Sequence, residues 1–141
     1  MEEQNKTDLP PINEEEFFFR AIKRSRPDCV EGGRVTSALF KEERGFGVSV
    51  DRDAQRKEEE VIAFMLNGNL SGRVKGIANF LATWCEVIGA KISETPSNDN
   101  PYHIDIFLDQ ENEQRQDIQA WQLAKACNVV YEDKNMAWTG K

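Results

Sequence analysis

Eight residues have the side-chain types from which a polar site is built: Arg20, Ser37, Lys41, Ser49, Asp51, Arg52, Asn100 and His103. A serine hydroxyl, a histidine and an aspartate within hydrogen-bonding reach make a nucleophile, its base and the group that orients the base. The same histidine among Lys41, Arg52 and Arg20 makes a pocket for a phosphate or nucleotide instead. Ser37, Lys41, Ser49, Asp51 and Arg52 fall within residues 34–53, RVTSALFKEERGFGVSVDRD, whereas Asn100 and His103 belong to Asn100-Pro101-Tyr102-His103. A shared site therefore requires the VSVDRD and NPYH segments to lie on neighbouring elements. The purely structural alternative reads Asp51-Arg52-Asp53 as a strand-end turn with a local ion pair, and Asn100 as an Asx-turn before Pro101. His103 is then a solvent-side strand residue and Arg20 a cation at a helix end.

Other chemistry finds little support. The chain has no GxGxxG after a strand, no GxxxxGK[ST], no HExxH and no GxSxG. With one histidine and acids grouped as surface runs (Glu14–Glu16, Glu42–Glu43, Glu58–Glu60), neither a metal nor a cofactor is expected. Cys29, Cys85 and Cys127 are scattered and lack CxxC spacing, which argues against a disulfide framework. Cys85 and Cys127 have the apolar surroundings of small core residues; Cys29, after Pro27-Asp28, is expected to be more exposed.

The elements that must position these residues belong to a chain of 141 residues, long enough for one domain with a real core. Its net charge of −7 disfavours extended nucleic-acid binding, which needs Lys and Arg concentrated on one face. Lys23, Arg24 and Arg26, with Arg34, Lys41, Arg44 and Arg52, read instead as solvated surface. No apolar run is long enough to span a bilayer, and the N-terminus lacks the basic-then-apolar order of a signal peptide, so a cytoplasmic location is expected.

Period-two alternation predicts strands at 35–40 and 46–51, joined through the polar, Gly-ending segment 41–45 as a β-hairpin or a short non-pairing connection. It also predicts a strand at 103–109, where Ile104, Ile106 and Leu108 alternate with His103, Asp105 and Phe107, and another at 128–131. Helices are expected at about 14–24, 56–66, 76–88 and 112–127. Two alternatives stay open: Phe17-Phe18-Phe19 as a buried strand, and Gly76-Ile77-Ala78 as a strand end feeding a shorter helix. A short strand near 90–93 is weaker still. The expected organisation is a disordered tail over 1–12, a single domain over 13–132 and a frayed C-terminus over 133–141. Mixed elements without regular βα alternation indicate an α+β fold with a small mixed sheet of about four strands.

FFFRAI, GGRVTSALFKEE, GVSVDRD and NPYHIDI together resemble a group of small bacterial proteins of unknown activity that read roughly L-Y-R-R-V, G-R-P-S-S-x-x-F-K, L-S-V-D-R and N-P-x-H. The resemblance runs in order over most of residues 17–131. It implies site positions at Arg20, Ser37, Lys41, Ser49, Asp51, Arg52, Asn100 and His103, and no particular reaction. It also implies a bacterial or phage-related setting. Val35-Thr36 departs from the Pro-Ser of that pattern, leaving Thr36 to supply the first hydroxyl. The expected function is that of a small accessory or regulatory protein acting by binding a partner protein. The alternative is an enzyme, or a protein binding a small anionic ligand such as a nucleotide or phosphate, built on the 37–53 segment with His103.

Overall fold

A computed structural model describes residues 9–41, 47–67, 72–135 and 137–138. In chain order the elements are β1 (Phe17–Lys23), β2 (Val30–Glu31), β3 (Arg34–Val35), β4 (Val48–Arg52), α1 (Glu58–Asn67), β5 (Val74–Leu81), α2 (Thr83–Ile88), β6 (Lys91–Glu94), β7 (His103–Phe107), α3 (Glu113–Ala126) and β8 (Asn128–Glu132). Short 3-10 helices stand at Pro27–Cys29 and Ser37–Phe40. Six strands form one sheet in the order β6-β7-β4-β1-β5-β8, each neighbouring pair antiparallel; β2 and β3 make a separate hairpin. The α+β class holds; the sheet is larger than the four strands expected and antiparallel throughout rather than mixed.

Cross-strand register sorts the side chains between two faces. Phe18, Phe80, Val50, Ile104, Val48 and Ile106 share one face, together with Leu39 and Phe40, Cys85 and Ile88, and Ala120 and Leu123, in the main core. There the Phe80 ring meets Phe18 and Phe40 edge to face at 5.9 and 5.5 Å. The opposite face carries Phe19 and Ile77, which pack with Val61 of α1. That smaller cluster draws on β1, β5 and β8, and the same face over β4 and β7 holds Ser49, Asp51, His103 and Asp105.

Three expected elements differ from those observed. Residues 14–24 are not a helix: Asn13 accepts from Glu15 N–H through Oδ1 (2.7 Å) and from Glu16 N–H through its carbonyl (2.9 Å), closing a turn, after which β1 begins. Phe18 and Phe19 are both buried on opposite faces, and a strand covered on both sides shows no alternation to read. Residues 76–88 divide for the same reason into β5, with six consecutive buried residues, and α2, which ends at Gly89 with φ 80°. Residues 35–40 do not pair with 46–51. Arg34–Val35 pairs with β2 across Gly32-Gly33, whose φ values of 61° and 79° suit a two-residue hairpin. Thr36 then caps the 3-10 helix, accepting from Ala38 N–H at 3.3 Å. Of the expected connection over 41–45, residues 42–45 lie outside those described, as does Phe46. The remaining expectations are met closely by β4, α1, β6, β7, α3 and β8. Cys29, expected to be more exposed, is buried as the last residue of the 3-10 helix at Pro27–Cys29.

Candidate functional site

VSVDRD and NPYH do meet. β4 pairs with β7 so that Asp51 stands directly opposite His103, and Arg52 N–H extends the ladder to the Tyr102 carbonyl at 3.0 Å. The loop between β6 and β7 supplies Asn100: its Nδ2 donates to Asp51 Oδ1 at 3.0 Å, while its Oδ1 accepts from Tyr102 N–H at 3.0 Å. Asn100 is thus an Asx-turn across Pro101 and a ligand of Asp51 at once. His103 Nδ1 lies 2.7 Å from Thr95 Oγ1, a contact that holds the ring toward the same loop.

The other expected members stand apart. Ser49 is opposite Asp105, two residues along β4 from Asp51, and its hydroxyl donates to Asp105 Oδ1 at 3.2 Å. At roughly 3.4 Å of rise per residue that places Ser49 about 7 Å along the strand from the Asp51–His103 pair, so no serine–histidine relay is assembled. Ser37 opens the second 3-10 helix, and Lys41 pairs with Asp117 at 3.4 Å on the surface. Arg52 faces the opposite side of the sheet, 2% exposed, and donates through Nε and Nη2 to Glu16 at 3.1 and 3.2 Å and through Nη2 to the Pro11 carbonyl at 3.1 Å. The local Asp51-Arg52-Asp53 ion pair therefore does not form. Arg20 lies on β1 rather than at a helix end; its Nε donates to the Leu39 carbonyl and its Nη1 to the Ser49 carbonyl, both at 2.7 Å.

Several participants escaped the sequence reading. Arg56 stacks over the Tyr102 ring, 3.4 Å from its centroid, and donates to the Arg52 and Asp53 carbonyls at 2.7 and 3.0 Å. Phe64 meets Tyr102 edge-on at 5.3 Å. Ala54 and Gln55 hold positive φ of 49° and 69°, a strained conformation for residues with a Cβ. They are fixed there because Asp53 accepts from Phe17 and Gln55 N–H and Glu16 accepts from Ala54 N–H. The only signal for Glu16 was its place beside the aromatic run; nothing in spacing marked Arg56 or Thr95.

Burial is the leading electrostatic influence on Asp51 and Arg56. Burial pushes the Asp51 carboxyl above the ordinary aspartate range, with the Asn100 hydrogen bond and the charges of His103 and Arg56 opposing it. Burial likewise lowers Arg56 and raises Glu16, the latter against the pull of Arg52. Beyond the Phe18–Arg52 and Phe19–Asp51 pairs the β1–β4 ladder stops, and a crevice of about 330 Å³ opens beside Arg20, Lys23, Arg26, Ser49, Asp51 and Met65. Of its three cations, Arg20 is bound to two carbonyls and Arg26 to Asp28 at 2.9 and 3.0 Å, while Asp51 adds a carboxyl to the same wall. That arrangement ties the 3-10 helices to the sheet and does not favour a phosphate. Among the described residues no group of acids, cysteines and histidine is placed to hold a metal ion.

Comparison of the chain with family models, curated proteins and solved structures finds no match.

Proposed function

We propose that this chain is a small accessory or regulatory protein that acts by binding a partner protein, and that α2, α3 and the adjoining edge strand β6 form the contact face. One observation carries this reading. Among the described residues, the five large apolar side chains left exposed are Trp84 and Val87 of α2, Ile92 of β6, and Ile118 and Trp121 of α3, each between 36% and 63% exposed. The two helices are joined where Arg115 and Gln119 donate to the Ile88 carbonyl at 3.2 and 2.9 Å. Tryptophans are the side chains most often found at the energetic centre of protein interfaces. A net charge of −7 suits a partner with basic residues around an apolar centre, since opposite charge speeds encounter and fixes orientation. The polar corner at Asp51 fits this reading as scaffold, because Asn100 holds Asp51, Thr95 holds His103 and Arg56 is bound to two carbonyls.

On this reading the partner is encoded in a bacterial or phage-related gene cluster and meets the chain in the cytoplasm; the resemblance to small bacterial proteins supports that setting. The test is affinity capture with the full chain, followed by mass spectrometry and by co-expression with the products of adjacent genes. A partner captured by the native chain and lost with Ile118→Ser/Trp121→Ser is the expected result; the variant should keep its circular dichroism, since both side chains are exposed. A partner that binds that variant and Trp84→Ser equally well would move the contact elsewhere.

A further inference from the structure

A second, chemically different site lies where the β2–β3 hairpin approaches β5 and β8. A cavity of about 360 Å³ is walled by Ile22, Val30, Val129 and Trp138 and floored by Gly76. Gly76 cannot carry a side chain, because a Cβ there would come within 2.8 Å of the Tyr131 carbonyl oxygen. The space is therefore open by construction, at the small end of the roughly 300–1,000 Å³ range of small-molecule pockets.

Its buried charged side chain is Lys75. Lys75 is 3% exposed, and its ammonium donates to the Asp133 carbonyl at 2.7 Å and to Glu132 Oε2 at 3.2 Å, with the Trp138 ring centroid 5.2 Å away. An ammonium has three N–H donors, and among the described residues two acceptors are hydrogen-bonded to it, leaving one for an occupant. Lys134 also lines the cavity, so Lys75 and Lys134 against Glu132 give the lining a charge of +1 in a chain of −7. Burying an ammonium is costly unless it is fully paired. A carboxylate on the occupant completes that pairing, and an apolar body covers Ile22, Val30 and Trp138.

From this arrangement we propose that the cavity binds a small monocarboxylate with an apolar body, its carboxylate on Lys75 and its ring or chain against Trp138. The site shares no residue with the proposed partner face, so either can fail without the other.

The test titrates the full chain with 3-phenylpropanoate and with octanoate, alongside 3-phenylpropanamide and 3-phenylpropylamine, followed by amide chemical shifts and tryptophan fluorescence. Saturable binding of a carboxylate is expected, with shifts centred on Val30, Gly33, Lys75 and Gly76. It should be at least about ten-fold tighter than that of the amide or the amine, the size of one good charge-assisted contact. Lys75→Met should remove that margin. Lys134→Glu, on the exposed rim, should weaken the carboxylate several-fold and decides the matter if Lys75→Met does not fold. The proposal is overturned if neither carboxylate saturates by about 10 mM. It is equally overturned if the amide or amine binds as well as the acid, if the shifts centre elsewhere, or if a folded Lys75→Met and Lys134→Glu both bind unchanged.

Discussion

Asp51 carries catalytic chemistry in a buried setting. Its Oδ1 accepts from Asn100 Nδ2 at 3.0 Å, it faces His103 across the ladder, and the residue is 8% exposed. Burial raises its proton affinity in the folded state. Below the unfolded aspartate pKa of about 3.9 both states are protonated, and the stabilising contribution is fully present. As pH rises from there through the higher folded-state value, the unfolded chain loses its proton first and the contribution is lost. Asn at this position keeps an acceptor for the Asn100 amide and does not titrate. Urea denaturation of Asp51→Asn at pH 4 and pH 7 should therefore show the variant gaining on the native chain as pH rises. A native chain that instead gains on the variant would mean that His103 and Arg56 stabilise an ionised Asp51 more than burial penalises it.

At the level of elements, the strands that disappear from the residue pattern are those buried on both faces. Phe17–Phe19 looks like a helix start after Asn13 and three acids, and Ile77, Phe80, Leu81, Trp84 and Ile88 fall at helical spacing across what is a strand followed by a short helix. Edge and half-covered strands keep their alternation, which is why β4 and β7 were legible outright and β1 and β5 only as alternatives to helices. α3 was legible too, but its anchor was not. Gln119 is buried, donates to the Ile88 carbonyl at 2.9 Å and accepts from Asp109 N–H at 2.7 Å, so one side chain joins α3 to the end of α2 and to the chain after β7. Gln119→Leu keeps the apolar volume and leaves the Asp109 N–H without its acceptor, while the Ile88 carbonyl keeps Arg115. At about 1–3 kcal/mol per buried unsatisfied group, equilibrium unfolding should show a loss of about 1 kcal/mol or more. A loss under about 0.5 kcal/mol would mean water replaces the amide.

Across the whole molecule, β1 and β5 share the longest ladder and lie inside the sheet, whereas β2–β3 is a two-pair hairpin outside it. Hydrogen exchange follows the cooperativity of such units. Amides of Phe18–Ala21 and Ile77–Phe80 should exchange slowest, near the global unfolding limit, and those of Glu31 and Arg34 orders of magnitude faster. Equal protection of the hairpin and the central pair would mean that the hairpin is an integral part of the cooperative core.

Residue types and short-range pattern were enough for the α+β class, the β4 and β7 strands, and the helices at 58–67 and 113–126; that the VSVDRD and NPYH segments pair was decided by the tertiary structure. Each of those elements depends on periodicity or turn chemistry that neighbouring residues express directly. Strand order, the burial of Arg52 against Glu16, the stacking of Arg56 on Tyr102, and the Lys75 cavity behind Gly76 arise from contacts between residues far apart in the chain. Such contacts leave no local trace: a buried ion pair and a solvated one are written with the same letters, and only packing separates them.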